Sequence, residues 1–315
     1  MLIKILGRRL AQAVFVAWAV GTLTFFLMNL LPGDFAYRIA AGRYGYDYVN
    51  QAAADAVRAE LGLDRSVWLQ YLDWFRDLLR FNLGDSLVSG NPVSQELAHQ
   101  LGHSLQLALF ASLLSLLIAV PLGLYAGRQV GSALDRASLF ISVLLRAQPV
   151  FVIGLVLVLI FALQFQLLPV AGFGGSRYLI LPALSLALSM AALSSRMIRN
   201  ATHQVLGSSY YQFARFKGLS EQQAFTHHAQ PNIALPVVAF IGIQAVSLIE
   251  GIVMIESLFS WPGIGHALAH AIFGRDVPMI QGAALVMGLL FVLINLLVDL
   301  CCYWLDPRQR EEGLQ

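Results

Sequence analysis

The side chains able to do chemistry are few, and their spacing limits what that chemistry is. His266 and His270 stand four residues apart, as do His99 and His103. On a helix each pair shares one face and offers two imidazole nitrogens to a transition metal. Two ligands do not close a metal site, so no metal is assigned, and ordinary interfacial histidines are the plainer alternative. Arg146 lies in a long apolar stretch, three residues before Pro149. An arginine inside a membrane span costs roughly 3 kcal/mol on insertion scales and faces a cavity or a partner. Either Arg146 lines a path and meets a substrate carboxylate, or it sits at a span end with its guanidinium reaching the interface. Glu250 and Glu256, near the outer end of one apolar stretch, complete a candidate path set with Arg146, His266 and His270. Asp299 falls near the inner end of the last stretch. No Ser-His-Asp or paired-carboxylate arrangement has a catalytic context. Adjacent Cys301 and Cys302 suit neither a disulfide nor a zinc spacing. A phosphate-binding loop requires Gly-Lys. The two lysines, Lys4 and Lys217, follow Ile3 and Phe216, so any ATP hydrolysis belongs to another chain.

The elements that position these groups follow from composition. Of 315 residues, 58% are hydrophobic and 12% are Asp, Glu, Lys or Arg. A soluble domain carries about 25% charged residues, so a soluble enzyme or a nucleic-acid binder is a poor fit. The net charge of +2 is too small to argue for a polyanionic partner. The few charges leave gaps, and a bilayer needs about 20 apolar helical residues. Leu10–Gly33 is charge-free and too long for a signal-peptide core, which predicts a retained first span. Further spans are expected within 97–127 (beginning near Ser104), 137–168 (interrupted by Arg146 and Pro149), 178–195, 229–249 and 277–298. The fold class expected is an all-α membrane protein of six spans. Lys4, Arg8, Arg9, Arg128, Arg136, Arg196, Arg199, Arg215, Lys217, Arg308 and Arg310 fall on one side, against Arg177 and Arg275 in the opposite short loops. The positive-inside rule then puts both termini in the cytoplasm.

Two segments between spans are too structured in pattern to be bare loops. Residues 34–103 carry six arginines and nine acids and read as an external subdomain. Amphipathic helices are expected at 53–61 and 67–81, the second with an aromatic and leucine stripe of Trp68, Tyr71, Leu72, Phe75, Leu78 and Leu79. The cytoplasmic segment 196–232 reads as a helix-turn-helix. Tyr210 to Lys217 forms a helix closed by Gly218, and Ser220 caps a second helix over 221–229. The expected division is therefore 1–33, 34–103 and a five-span core 104–315.

The order Tyr210, Ala214, Arg215, Lys217, Gly218, Leu219, Ser220, then His228, Asn232 and Leu235-Pro236-Val237, resembles the coupling loop of ABC importer permeases of the dipeptide, oligopeptide and nickel branch. Further matches are Leu31-Pro32-Gly33-Asp34, Gly62-Leu63-Asp64, Leu168-Pro169, Gly172-Phe173-Gly174-Gly175, Trp261-Pro262-Gly263-Ile264-Gly265, Arg275-Asp276 and Asp306-Pro307-Arg308. The resemblance covers nearly the whole chain. It implies a bacterial inner-membrane permease subunit that pairs with a second, similar permease to form an alternating-access pore. Two cytoplasmic ATPase subunits carrying ATP and Mg would receive the coupling loop, with Ala214 and Leu219 seated in a groove. A periplasmic binding protein would deliver short peptides, nickel or metal chelates; this chain would bind no cofactor and no nucleic acid. The sequence departs from the family pattern at Gln230-Pro231, where Pro231 is expected to end the second coupling helix early, and at Asn82, Arg146 and His266. The alternative class is a secondary transporter or channel, which the scarcity of ionisable residues within the spans disfavours.

Overall fold

The computed structural model describes residues 2–30, 33–45, 49–62 and 64–305. Leu31, Pro32, Leu63, Asp306, Pro307, Arg308 and Arg310 lie outside the described residues. Helices run over Leu2–Leu30 (α1), Phe35–Tyr44 (α2), Gln51–Leu61 (α3), Val67–Leu79 (α4), Val93–Arg128 (α5), Ala133–Arg146 (α6) and Val150–Leu157 (α7). After a π turn at Val158–Gln164 come Ser176–Leu206 (α8), Ser209–Phe216 (α9) and Glu221–Ala224 (α10). A second π turn at Phe225–Ala229 leads to Gln230–Leu258 (α11), Ile264–Gly274 (α12) and Val277–Leu305 (α13).

Five of these segments, 5–30, 93–128, 176–206, 221–258 and 277–304, are long and apolar enough to cross a membrane. The pair α6 and α7 is together apolar enough to make a sixth, but it is bent by 105°. The expected interruption of the third span is thus a sharp bend at residues 147–149. Its cause is Pro149, which cannot continue α6 and caps α7 with an extended backbone (φ −59°, ψ 146°). The other spans outgrow their charge-free windows, because helices continue into flanking polar residues. Arg196 and Arg199, expected in the cytoplasmic segment that follows the fourth span, stand inside α8.

The chain divides into two compact units. One is built on residues 105–261 together with the end of α13. Its core joins Leu107, Ile153, Leu157, Leu181, Leu186, Leu248, Ile252, Ile255 and Trp261. The most apolar stretch of α8 is 67% buried, against 28% for those of α5 and α11, so α8 is the axis on which α6, α7 and α11 pack. Close approach is allowed by small residues: a Cβ on Gly123 would lie 2.7 Å from the Ser195 carbonyl oxygen, and one on Gly127 would lie 2.7 Å from that of Arg199. Against this axis α6 is inside out. It buries Asp135, Ser138 and Ser142 while exposing Phe140, Val143 and Leu144. That polarity is stable only where the surroundings are apolar. Pro231 does not end the second coupling helix. The π turn before it loosens the backbone, Pro231 occupies the tolerated start of α11, and the helix continues through to Leu258.

The other unit comprises residues 7–104 and 262–292. The first amphipathic helix starts two residues earlier than expected and the second ends at Leu79. The preceding helix α2 was not expected. Asp34 and Asn50 cap α2 and α3, accepting from the Tyr37 and Ala53 amides at 3.2 and 2.9 Å. Ala36, Ile39 and Ala40 then pack on Ala54 and Val57. Arg58 bridges to Asp34 at 2.7 Å and to Asp55 at 2.6 Å. The aromatic stripe of α4 packs on α1: Tyr71 lies 5.4 Å from Phe26 and 5.5 Å from Phe25 between ring centroids. The Thr22 and Tyr71 hydroxyls share a 3.0 Å hydrogen bond. Trp68 stays exposed at the rim.

Candidate functional site

The helix-turn-helix forms as its residues dictate. Helix α9 ends at Phe216 with Lys217 as its C-cap, and Gly218 turns the chain with φ +91°, a conformation that only glycine adopts without strain. Ser220 then starts α10 with a reciprocal capping box: its hydroxyl accepts from the Gln223 amide, and the Gln223 side chain accepts from the Ser220 amide. Arg215 reaches across the turn to donate to the Leu219 carbonyl at 3.1 Å. Tyr211 and Ala214, one turn apart, face inward and join Ala201, Val205, Ala224, Ala229 and Ile233, with Leu219 packed against them. The Arg128 guanidinium lies 4.2 Å over the Phe225 ring. The knob is thus clamped to α8 and α11.

This corrects one expectation. Ala214 is buried against its own chain and Leu219 packs on the same cluster, so neither is free to seat in a partner's groove. The outward face instead holds Tyr210, Phe213 and Phe216, with Phe216 86% exposed. Lys217 Nζ sits 4.7 Å over the Phe213 ring. Sequence reasoning missed Phe213 and Phe216, although their spacing from the inward Tyr211 and Ala214 already sets them on the other side. His228 and Asn232 are exposed, and Asn232 donates to the His228 carbonyl at 2.7 Å.

Behind the knob, Asp135 ties α6 to α8. Arg199 donates to it through Nε (3.1 Å) and Nη2 (2.8 Å), Arg196 through Nη1 (3.0 Å), and the Gly131 amide at 3.0 Å. Arg196 and Arg199 were expected only as markers of the cytoplasmic side. No signal in the sequence pairs them with a residue some 60 positions away.

At the far end of α6, Arg146 lines a cavity of about 380 Å³ with Gln148, Ser189, Gln244, Ser247 and Glu250. One cationic and one anionic side chain therefore border the same space, with amides and hydroxyls between them. Gln244 is oriented by its 3.1 Å bond to the Met190 carbonyl. Glu256 is not among the lining residues; it is fully buried.

In the second unit, His266 and His270 ride on α12. The Ser104 hydroxyl of α5 accepts from the Ile264 amide at 2.8 Å, satisfying one of the free donors at the start of that helix. This bond sets α12 beside the part of α5 that carries His99 and His103. The two rings of each pair meet edge to face, with centroids 4.6 Å apart for His266 and His270 and 4.7 Å for His99 and His103. Burial, and after it the neighbouring His270, lowers the pKa of His266 below the usual histidine value. Among the described residues no three His, Cys, Asp or Glu side chains are grouped to hold a metal ion.

Comparison with known proteins now bears on these features. The family model described as binding-protein-dependent transport system inner membrane component matches residues 119–311, and the model for the N-terminal part of such membrane components matches residues 1–108. The chain belongs to this family of ABC importer permeases. Among its relatives is a Sinorhizobium fredii protein named "Probable peptide ABC transporter permease protein y4tP", 37% identical over 96% of this chain and 98% of that protein. Another is the Staphylococcus aureus "Nickel import system permease protein NikB", 36% identical over 98% of this chain and 92% of that protein. A solved structure titled "Crystal structure of an amino acid ABC transporter with histidines" matches with a TM-score of 0.51 and 16% identity. It covers 66% of this chain and 94% of that one, a likeness of fold. This permease is therefore a multi-pass inner-membrane transport subunit, and a binding protein and an ATPase are partners its family implies.

Proposed function

We propose that this permease forms one half of an alternating-access pore for short peptides or for nickel and other metal chelates. A second, similar permease supplies the other half, and two ATPase subunits, which hold ATP and Mg, dock from the cytoplasm. Both termini are cytoplasmic, and residues 34–103 face the periplasm and receive the binding protein. The single observation that carries this reading is the knob of α9 and α10. An outward aromatic face of Tyr210, Phe213 and Phe216 stands on a base packed against α8 and α11. Such a surface suits insertion into an apolar groove. Its rigid base suits transmission of force, since a docking element that yields locally passes nothing on. Tyr210, Arg215, Lys217, Gly218, His228 and Asn232 shape or flank the knob. Ala214 and Leu219 hold it together from within.

Arg146 and Glu250 are assigned to the translocation path, since their shared cavity offers opposite charges to a zwitterionic cargo. The chain's own part is binding and alternation of access, without covalent chemistry.

The test is a double substitution, Phe213→Asp with Phe216→Asp, in the complete transporter. Both side chains are exposed, so the permease should melt normally, while the ATPase no longer co-purifies and uptake stops. Normal uptake with the ATPase retained would refute the docking role. For the path, Arg146→Ala should cut uptake with the complex intact, and unchanged uptake would remove Arg146 from it.

A further inference from the structure

The structure brings together what the sequence separates by more than 160 positions. His99 from α5 and His266 and His270 from α12 line one cavity of about 570 Å³, with Glu96 and Gln100 beside them. The chemistry of this wall is one-sided. Among the described residues no lysine or arginine lines it, whereas three imidazoles, the carboxylates of Glu96 and Asp276, one amide and two serine hydroxyls do. An anion finds no permanently cationic side chain there, and two carboxylates repel it. The Gln100 side-chain oxygen is buried and has no hydrogen-bond partner among the described residues, an acceptor that a native fold seldom strands. Glu96 is held in place through one oxygen, which accepts from the Ser89 hydroxyl at 2.5 Å and the Asn91 amide at 3.2 Å. Every feature asks for a cation or for donors attached to one.

Ligand type narrows the cation. Calcium and magnesium prefer sets of carboxylate and carbonyl oxygens. Imidazole nitrogens suit zinc, copper and nickel. His266 and His270 are spaced i, i+4 on a helix fixed by Ser104, with rings 4.6 Å apart, which presents two nitrogens on one face. Among the described residues no three His, Cys, Asp or Glu side chains close on one point, so they do not enclose a bare ion. The cavity is instead large enough for an ion that keeps other ligands.

We propose that this cavity is a divalent transition-metal site in which His266 and His270 take two coordination positions, and water or a small chelator takes the rest. His99 and Glu96 face the remaining ligands, and the orphaned Gln100 oxygen accepts a hydrogen bond from a metal-bound water or a chelator N–H or O–H. Relative to the import reading, the site names the metal-bearing half of the cargo range. It stands on the binding chemistry of this chain and is tested separately.

The experiment uses the complete transporter, purified without a histidine tag, stripped with chelator and titrated with Co²⁺ and Ni²⁺. Binding is followed by calorimetry and, for Co²⁺, by visible absorption, whose bands report nitrogen ligands. Saturable binding with imidazole bands is expected. Affinity should fall at least tenfold in both His266→Ala and the milder His270→Gln, with melting temperatures unchanged; exposed His270 is the substitution least able to unfold α12. His203→Ala, which removes an exposed imidazole that does not line the cavity, should leave binding intact. Unchanged affinity in both histidine variants, or Co²⁺ spectra without nitrogen ligation, would overturn the site. Metal binding is measured without transport, so a transporter that binds metal but fails to import overturns the import reading and leaves the site standing. Import with no metal binding overturns the site and leaves the import reading standing.

Discussion

Replacing Asp135 with alanine would strand two guanidinium groups against each other. In the native fold the Asp135 carboxylate accepts three bonds from Arg196 and Arg199 and one from the Gly131 amide. Its side chain is 6% exposed, and those of Arg196 and Arg199 are 20% and 16% exposed. Removing one member of a buried pair costs about 3–5 kcal/mol, because the other charge is left uncompensated. The two arginines keep some contact with solvent and recover part of that loss, so the lower end, about 3 kcal/mol, is expected. At about 2–4 °C per kcal/mol for chains somewhat smaller than this one, melting should fall by about 6–12 °C. The assay is thermal denaturation of the complete, solubilised transporter, read by tryptophan fluorescence. The decisive arm is a second substitution. Arg199→Met in the Asp135→Ala background removes one of the two stranded charges and should restore part of the loss, a coupling that a double-mutant cycle reads directly. A shift below 2 °C for Asp135→Ala, or no recovery from Arg199→Met, would refute the assignment of this triad as the tie between α6 and α8.

Three further outcomes follow from the packing. Gly123→Leu must push α5 off α8, since its Cβ would meet the Ser195 backbone oxygen at 2.7 Å. Overpacking of this kind costs about 1–3 kcal/mol, seen as a lowered melting temperature, whereas Gly102→Ala, where a Cβ meets nothing within 4 Å, should leave it unchanged. Gly218→Val puts a β-branched residue at φ +91° with open space around it, so the penalty is backbone strain of about 1–2 kcal/mol. Transport-coupled ATP hydrolysis should drop more for Gly218→Val than for Gly218→Asn, which tolerates the left-handed region better. Ser104→Ala leaves the buried Ile264 amide without its acceptor, at about 1–3 kcal/mol, and hydrogen exchange should quicken in the first turn of α12.

The spans were legible because an apolar run of 20 residues has few other solutions, and the bend in the third was legible because Pro149 acts locally. The knob was equally local: Gly218, Ser220 and Gln223 specify its turn and cap within six residues. Helix α2 escaped notice because its alanines and arginines carry little amphipathic contrast; what orders it is α3, across an interface no local pattern reveals. Pro231 misled because the π turn that accommodates it depends on the whole of α10 and α11. Which way Ala214 faced depended on where α8 and α11 stand. Both cavities are products of pairing between distant segments. Arg146 and Glu250 lie about 100 positions apart and His99 and His266 farther still, so their meeting could not be read from spacing.

The second π turn has a mechanical consequence. From Glu221 to Leu258 the chain is one helical rod of 38 residues, about 57 Å at 1.5 Å per residue. A π turn holds one residue more than an α turn. If the widened turn slid along the rod, every residue it passed would change its angular position by about 100°, one residue's share of a helical turn. Gln244, Ser247 and Glu250, which border the Arg146 cavity, ride on this same rod. A twist imposed where the rod emerges at the knob therefore has a way to change which side chains face that cavity, with no hinge and no change in the rod's direction.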